Sequence, residues 1–597
     1  MNFHMKHDSR DIYYKNPFGA VSKGKRIYIC ITADKFLDIF LNIIYFDYEE
    51  KAVKMSVRIE NYNKYVYYHY IHLDKDYVGL INYFFQIKTE EEGYFYYGNN
   101  PDGLGGEGQI YESMPVPYQI TVYDPLKVPK WFKEGIVYQI FVDRFRNGNT
   151  SGEITNPKHN SFIYGSWQDE PMYIKDNQGK VIRWDFFGGN LKGVIEKLPY
   201  IKSLGVSAIY LNPIFESISN HKYDTGDYKS IDSMYGDEKI FRDLCNEANK
   251  LNMKIILDGV FNHTGDDSIY FNRYGNYDSK GAYQSKNSPY YSWYTFIEYP
   301  DKYDSWWGIE SMPSVNEMNP DYVDFIIAGK NSVLEKWMKL GASGWRLDVA
   351  DELPDEFIEK IRYKIKSIKS ESVLIGEVWE DASNKVSYSN RRKYVLGREL
   401  DSVTNYPFRN AVIEFLKNDI NSSVFERRIL SLYENYPKEI FYSNLNILGT
   451  HDTERILTVF QEKGENKIQF LKMAVTIQMT MPGVPLIYYG DEAGILGEKD
   501  PLNRKTYPWG DENKTILDFY RHITALRNKY DSLKRGDIKF YHIDRDVLCY
   551  RRTVDRENIL IAINRNECKT FRIIADEIEQ EISALEIKIL PIIENGE

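Results

Sequence analysis

From about residue 135 onward, short apolar runs alternate with segments whose apolar positions recur every three to four residues. GIVYQIFVDRF has the apolar density of a buried strand, and LKGVIEKLPYIKSLG has helical spacing. SAIYLNPIF, KIILDGVFNH, GWRLDVAD and VLIGEVW follow as strands, with DEKIFRDLCNEANKLN, VDFIIAGKNSVLEKWMKLG and a helix from about Pro354 to Ser367 between them. SVTNY, SNLNILGTHD and PLIYYGDEAG complete the series, separated by further helical runs. Strands alternating with helices predict a parallel sheet. Eight such units in about 370 residues suit a closed (β/α)8 barrel, the TIM-barrel arrangement, better than an open doubly wound sheet.

The flanks read differently. KRIYICITA, KAVKMSVRIE, YVYYHYIHL, GLINYFFQIK and YQITVYD are rich in β-formers and predict an N-terminal β-sandwich over residues 1–125. Gly103 to Gly108 fits GxGxxG, but a strand-like segment rather than a helix follows, so a glycine-rich loop is expected and not a dinucleotide site. The barrel is expected over 126–511, with a polar and aromatic insertion at about 264–316 after the third strand. IKFYHI, VLCYRRT, NILIAIN and TFRII predict a C-terminal antiparallel β-domain within 512–597.

Composition narrows the classes. A chain of 597 residues exceeds one hydrophobic core. Its net charge of −11 disfavours nucleic acid as a partner. Cys30, Cys245, Cys549 and Cys568 form no CxxC pair, which argues against a disulfide framework or a thiolate zinc site. No leader-like apolar segment opens the sequence and no apolar run is long enough to span a bilayer, so no membrane partner and a cytoplasmic location are expected. Aromatics reach 15%, with 50 Tyr, which serve strands first and sugar-stacking surfaces second.

Charged residues stand directly after apolar strands: Asp258 after KIIL, Arg346 and Asp348 in GWRLD, Glu377 after VLIG, His451 and Asp452 after NILGT. A carboxylate at a buried strand end is costly unless paired or used. The C-terminal strand ends of such a barrel form one face, where active sites lie. Arg346 and Asp348, two apart, share a strand face. The guanidinium is expected to favour ionised Asp348, as a nucleophile needs. Glu377, beside Trp379, is expected in an apolar setting that disfavours its charge, as a general acid needs. Two such carboxyls about 5–5.5 Å apart are the machinery of a retaining glycosidase. His263 and His451 lack metal-binding spacing and are read as substrate hydrogen-bonding groups.

DGVFNH (Asp258–His263), GWRLDVADE (Gly344–Glu352), GEVW (Gly376–Trp379) and GTHDTER (Gly449–Arg455) together resemble the α-amylase family of glycoside hydrolases, family thirteen. The resemblance implies Asp348 as nucleophile, Glu377 as acid/base and Asp452 as the third carboxylate. It implies Arg346, His263 and His451 as −1 subsite contacts, Tyr223 in HKYDTGDY as the aromatic stacking on that sugar, and Asp500 and Arg504 in DPLNR as further contacts. MPSVN at Met312–Asn316, Glu352 after the nucleophile strand and the β-rich N-terminus are similar to the neopullulanase, cyclomaltodextrinase and maltogenic amylase group. That likeness implies a starch-binding-type N-terminal module and a homodimer built through it. It also implies cleavage of α-1,4 and some α-1,6 bonds in cyclodextrins, pullulan, maltooligosaccharides and starch, with transglycosylation. An α-amylase or oligo-1,6-glucosidase on the same fold is the enzyme alternative, and a non-catalytic glucan-binding protein the other. Relatives often hold calcium where Asn147, Asn149 and the Gly188–Asn190 loop stand here; Asn149 and Asn190 occupy positions where Asp is common. No organic cofactor is implied.

Overall fold

The computed structural model describes residues 3–45, 50–61, 64–89, 93–576 and 578–593. By internal contacts the chain divides into two compact units, one comprising Met1–Lys127, Glu380–Asp401 and Ile420–Tyr442, the other Val128–Trp379, Ser402–Asp419 and Ser443–Glu597.

In the first unit two sheets enclose one core. One is built on the antiparallel pair Arg26–Ala33 and Lys64–His72; the other centres on Gly79–Thr89, flanked by Asp38–Tyr45, Gly93–Gly98 and Tyr118–Tyr123. Every second residue points inward: Ile27, Ile29 and Ile31 from one sheet meet Ile39, Leu41, Ile43, Tyr83 and Phe85 from the other. Each such side chain stabilises the fold by roughly 1.5–3 kcal/mol through burial. KAVKMSVRIE, read above as one strand, is two. Glu50–Lys54 pairs in the second sheet and Ser56–Asn61 in the first, and buried Met55 sits at the crossing. The glycine-rich stretch is a loop: Gly103, Gly105 and Gly106 take positive φ, and the strand Gln109–Tyr111 follows.

The second unit holds eight short parallel strands: β1 (Val137–Ile140), β2 (Ala208–Leu211), β3 (Lys254–Gly259), β4 (Gly344–Leu347), β5 (Val373–Gly376), β6 (Ser402–Val403), β7 (Leu445–Asn446) and β8 (Val484–Tyr488). They run in the order β6-β5-β4-β3-β2-β1-β8-β7, and a parallel bridge from Thr404 to Leu445 joins the two ends. VLIG, AIYL and VPLIY are buried throughout, as strands covered on both faces must be. The crossover helices include α1 (Leu191–Ser203), α2 (Glu238–Lys250), α3 (Val333–Leu340), α4 (Asp355–Ile368), α5 (Tyr406–Lys417) and α6 (Lys467–Thr480). Their starts are written in the sequence: Asn190, Asp237, Ser332 and Asn405 each accept a backbone N–H of the first turn.

Regular strand–helix alternation fails once. Among the described residues, 377–401 between β5 and β6 forms no helix, only the hairpin Val386–Ser387 with Asn390–Arg391. DASNKVSYSNRRK is polar and lacks a helical apolar stripe. Between β3 and α3 lies a loop-rich excursion with the hairpin Phe296–Glu298/Lys302–Tyr303, where Phe271 packs on Tyr294, Phe296 and Tyr303. After β8, helix α7 (Lys514–Lys529) leads to an antiparallel sheet of Asp537–Asp544, Val547–Val554, Glu557–Asn564 and Ile587–Ile593. Buried Arg527 binds this region down, donating to the carbonyls of Met479, Gly483 and Leu533. Cys30, Cys245, Cys549 and Cys568 are all free thiols. Among the described residues no helix is long and apolar enough to cross a membrane.

Candidate active site

The strand register assembles the site. Asp258 of β3 pairs with Arg346 of β4, and Leu347 with Gly376 of β5. Asp348 and Glu377 are the next residues along their strands, so they emerge side by side at the barrel's C-terminal rim. Arg346, buried, is the hub. Its Nη1 lies 2.8 Å from Asp258 Oδ1 and 2.8 Å from Asp348 Oδ1, and its Nη2 lies 2.9 Å from Glu377 Oε2. Val349, a β-branched residue at φ 40°, turns its N–H onto Glu377 Oε2 at 2.9 Å. That backbone is strained, and such strain concentrates where a group must be held. Among the described residues Glu377 Oε1 keeps only a 3.3 Å contact from Trp379 Nε1, whose ring stacks on Tyr406 at 3.9 Å.

Two expectations change here. Asp348 is not held low by Arg346. Burial pushes its carboxyl well above the usual range; the guanidinium opposes this, and Glu377, Asp258 and Asp452 add repulsion. One cation divided among several buried carboxyls cannot keep all of them ionised. Nor is the setting of Glu377 simply apolar: an aromatic flanks it, but the same guanidinium touches it.

Around this core lies a hydrogen-bonded floor. Tyr210 donates to Asp258 Oδ2 at 2.5 Å, and Tyr223 Oη lies 3.0 Å from the same oxygen. Tyr223 stacks on His451 with ring planes 8° apart. Gln139 Nε2 donates to His451 Nδ1 at 3.0 Å, leaving the ring's proton on Nε2, which faces Asp452 Oδ2 at 3.1 Å. Burial and the Arg504 and Arg346 charges hold His451 neutral. His263, pushed down to about 4 by burial, spends Nε2 on the Tyr223 carbonyl at 3.0 Å and stacks on Trp306. Burial and the Glu377 charge push Asp452 up to about 7. Arg504 approaches it at 3.6 Å and pairs with Asp500 at 2.9 Å, and Tyr173 caps Asp500 at 2.7 Å.

The structure therefore brings Asp258, Arg346, Asp348, Glu377, Trp379, Tyr223, His263, His451, Asp452, Asp500 and Arg504 into one connected network. Glu352 accepts from Trp307 Nε1 at 3.2 Å. Sequence reasoning missed Gln139, Tyr210, Tyr406 and Trp307. A signal existed for the first two: each places a hydrogen-bonding side chain inside a buried strand, Gln139 beside Tyr138 in VYQI and Tyr210 in AIYL. Trp307 had none; it is 75% exposed at φ 52° on the rim excursion.

Asn147, Asn149 and Asn190 do come together, but they do not fit calcium, and the Gly188 N–H is turned to Asp143 Oδ1. Asn147 Nδ2 donates to the carbonyls of Gly152 and Glu153, and Asn149 Nδ2 to Glu153. Asn190 Oδ1 is taken by the N–H groups of Gly148 and Gly193, and Asn147 Oδ1 by Asn149 N–H and Asn190 Nδ2. The Lys192 ammonium lies 3.4 Å from Asn149 Oδ1. Calcium wants several oxygens, usually charged ones. Here amide donors fill the oxygens and a cation already borders them. Among the described residues no cluster of acidic, His and Cys side chains could hold a metal.

A model of the α-amylase catalytic domain matches residues 139–515. The chain is 40% identical to an amylopullulanase of Thermoanaerobacterium saccharolyticum, over 92% of this chain and 46% of that protein. It is 34% identical to a cyclomaltodextrinase of Thermoanaerobacter pseudethanolicus, over 91% of this chain and 86% of that one. Among solved structures, the type III pullulan hydrolase from Thermococcus kodakarensis superposes with a TM-score of 0.70 at 25% identity, covering 98% of this chain and 100% of the other. The chain spans about half the length of the amylopullulanase it matches, or less for others of that name, down to 32%.

Proposed function

Because the chain belongs to the α-amylase family, in its neopullulanase, cyclomaltodextrinase and maltogenic amylase group, we propose that it is a retaining glycoside hydrolase of α-glucans. The observation that carries this reading is the clasp of Arg346 on Asp348 and Glu377 at adjacent strand ends. An Asp348 oxygen attacks the anomeric carbon as the glycosidic C–O bond breaks, and Glu377 gives its proton to the leaving oxygen. Since Glu377 Oε2 is occupied by Arg346 and Val349, Oε1 is the oxygen left for the sugar. Glu377 then takes a proton from water, or from a sugar hydroxyl in transfer, and the incoming oxygen displaces Asp348. Burial and like charges disfavour ionised Asp348. Positive charge developing at the anomeric carbon reverses that balance, so the cluster favours the transition state over the resting state. Asp452 and His451 grip hydroxyls of the distorted ring, and Tyr223 stacks on it.

The substrates in this reading are cyclodextrins, pullulan, short maltooligosaccharides and starch, cut at α-1,4 and some α-1,6 bonds. The names of the relatives support both linkages, and identity of 40% to an amylopullulanase gives weight to the α-1,6 bonds of pullulan. Exposed Trp307, which donates to Glu352, and half-exposed Trp379, backed by buried Tyr406, offer flat surfaces for the leaving-side sugars. A homodimer through the N-terminal sandwich belongs to the same reading, and sedimentation checks it. Asp348→Asn is expected to lower kcat by several orders of magnitude while leaving binding largely intact. Product analysis on β-cyclodextrin, pullulan and starch tests specificity: panose from pullulan supports α-1,4 cleavage, and maltotriose supports the amylopullulanase-like cut. Near-normal turnover by Asp348→Asn would overturn the mechanism.

A further inference from the structure

We propose that Lys222 is a positioning residue for Tyr223, its buried ammonium fixing the one backbone conformation that sets the Tyr223 ring against His451. The proposal rests on the reading of Tyr223 as the aromatic under the reacting sugar.

Lys222 is fully buried and takes φ 60°. The left-handed region costs a residue with a Cβ roughly 1–2 kcal/mol, and glycine would meet it freely. A lysine placed there must therefore contribute through its side chain. Its Nζ lies 2.7 Å from Asp232 Oδ2 and 3.3 Å from the Ser219 carbonyl. The rings of Tyr235 and Phe186 flank it at 4.6 and 5.5 Å. Asp232, itself fully buried, receives a second cation, Lys158, at 3.0 Å.

The backbone about Lys222 is closed on both sides. Its N–H donates to Ser219 Oγ at 2.8 Å. The Tyr223 N–H donates to His221 Nδ1 at 3.1 Å, and the His221 ring is held neutral by burial and the Arg504 charge. Asp224 accepts from Ser217 Oγ at 2.6 Å and from Ser219 Oγ. Beyond this loop Tyr223 meets His263 through its carbonyl, and Asp258 and His451 through its hydroxyl. The ammonium thus closes a loop that reaches the carboxylate network through the Tyr223 carbonyl and hydroxyl. A displacement of about 1 Å in such a group can cost about 10²-fold in rate.

Lys158 supplies the control, because it pairs with the same carboxylate from outside the loop. Hydrolysis of β-cyclodextrin is measured, with thermal unfolding, for wild type, Lys222→Met, Lys158→Met and the double variant Lys222→Met/Asp232→Asn, well below each midpoint. The double variant removes the unpaired buried carboxylate and keeps the test alive if Lys222→Met does not fold. Expected are a kcat lower by about 10²-fold in both Lys222 variants with KM moved less than about threefold, and a Lys158→Met protein that loses thermal stability but keeps kcat within about twofold. A kcat near wild type in the Lys222 variants, or an equal loss in Lys158→Met, overturns the role of Lys222 alone. A wild type inactive on every glucan overturns the functional reading and this role with it.

Discussion

At the residue scale the site is a problem of too many carboxyls for one guanidinium. Asp258, Asp348 and Glu377 all touch Arg346, and Asp452 sits within their field. The arrangement sacrifices stability for a pocket that welcomes positive charge. Asp452 shows the sign. Its carboxyl rises from an ordinary 3.8 to about 7 on folding, so the folded chain holds a proton that the unfolded chain has released between those values. Stability therefore falls as pH climbs from about 4 to 7, and the whole penalty is present above 7. Asp452→Asn is expected to raise the melting temperature at pH 8 and to leave it unchanged near pH 4; differential scanning calorimetry at the two pH values checks this, and a lower midpoint at pH 8 would contradict it. Trp307 gives a second residue-scale expectation. Trp307→Ala should raise KM for β-cyclodextrin about 10-fold, equivalent to about 1.4 kcal/mol, since a stacked aromatic surface is lost. An unchanged KM would remove Trp307 from the substrate path.

At the scale of elements, short strands position what the loops complete. β3, β4 and β5 supply Asp258, Arg346, Asp348 and Glu377 through register alone, and that was legible in KIILD, GWRLD and VLIGE because a charge ending an apolar run stands out. The direction of the Asp348 shift was not legible. A sequence shows that Arg346 neighbours Asp348, but not that Asp258 and Glu377 draw on the same guanidinium. The rim excursion hid Trp307 for a related reason: it lacks periodicity, so no pattern aims its side chains. Between β5 and β6 the described residues form no helix, and the polar run there lacks an apolar stripe. The loop of Asn147, Asn149 and Asn190 is closed by amide hydrogen bonds, with Asn190 also capping α1. Chelation by EDTA is accordingly expected to leave the melting temperature unmoved, and added calcium likewise. A fall of several degrees with EDTA would restore a cation to that loop. Asn190→Ala should cost about 1 kcal/mol in urea unfolding through the lost cap.

On the scale of the whole molecule, a β-sandwich, an eight-stranded parallel barrel and a C-terminal antiparallel sheet follow one another much as the apolar patterns foretold. Strand pairing was less legible than strand existence. Which sheet Glu50–Lys54 and Ser56–Asn61 would join depended on a crossing at Met55 that alternation cannot show. The network spans residues from Tyr223 to Arg504, so its chemistry exists only in the folded barrel. Covalent capture tests that chemistry most directly. A fluorinated α-glucosyl fluoride slows both steps, and Glu377→Gln slows release of the glycosyl group further. Incubation followed by peptide mass spectrometry should find one glucosyl adduct, as an ester on Asp348. An adduct on Asp452 or Asp258, or none in a protein that still turns over β-cyclodextrin, would contradict the assignment of the nucleophile.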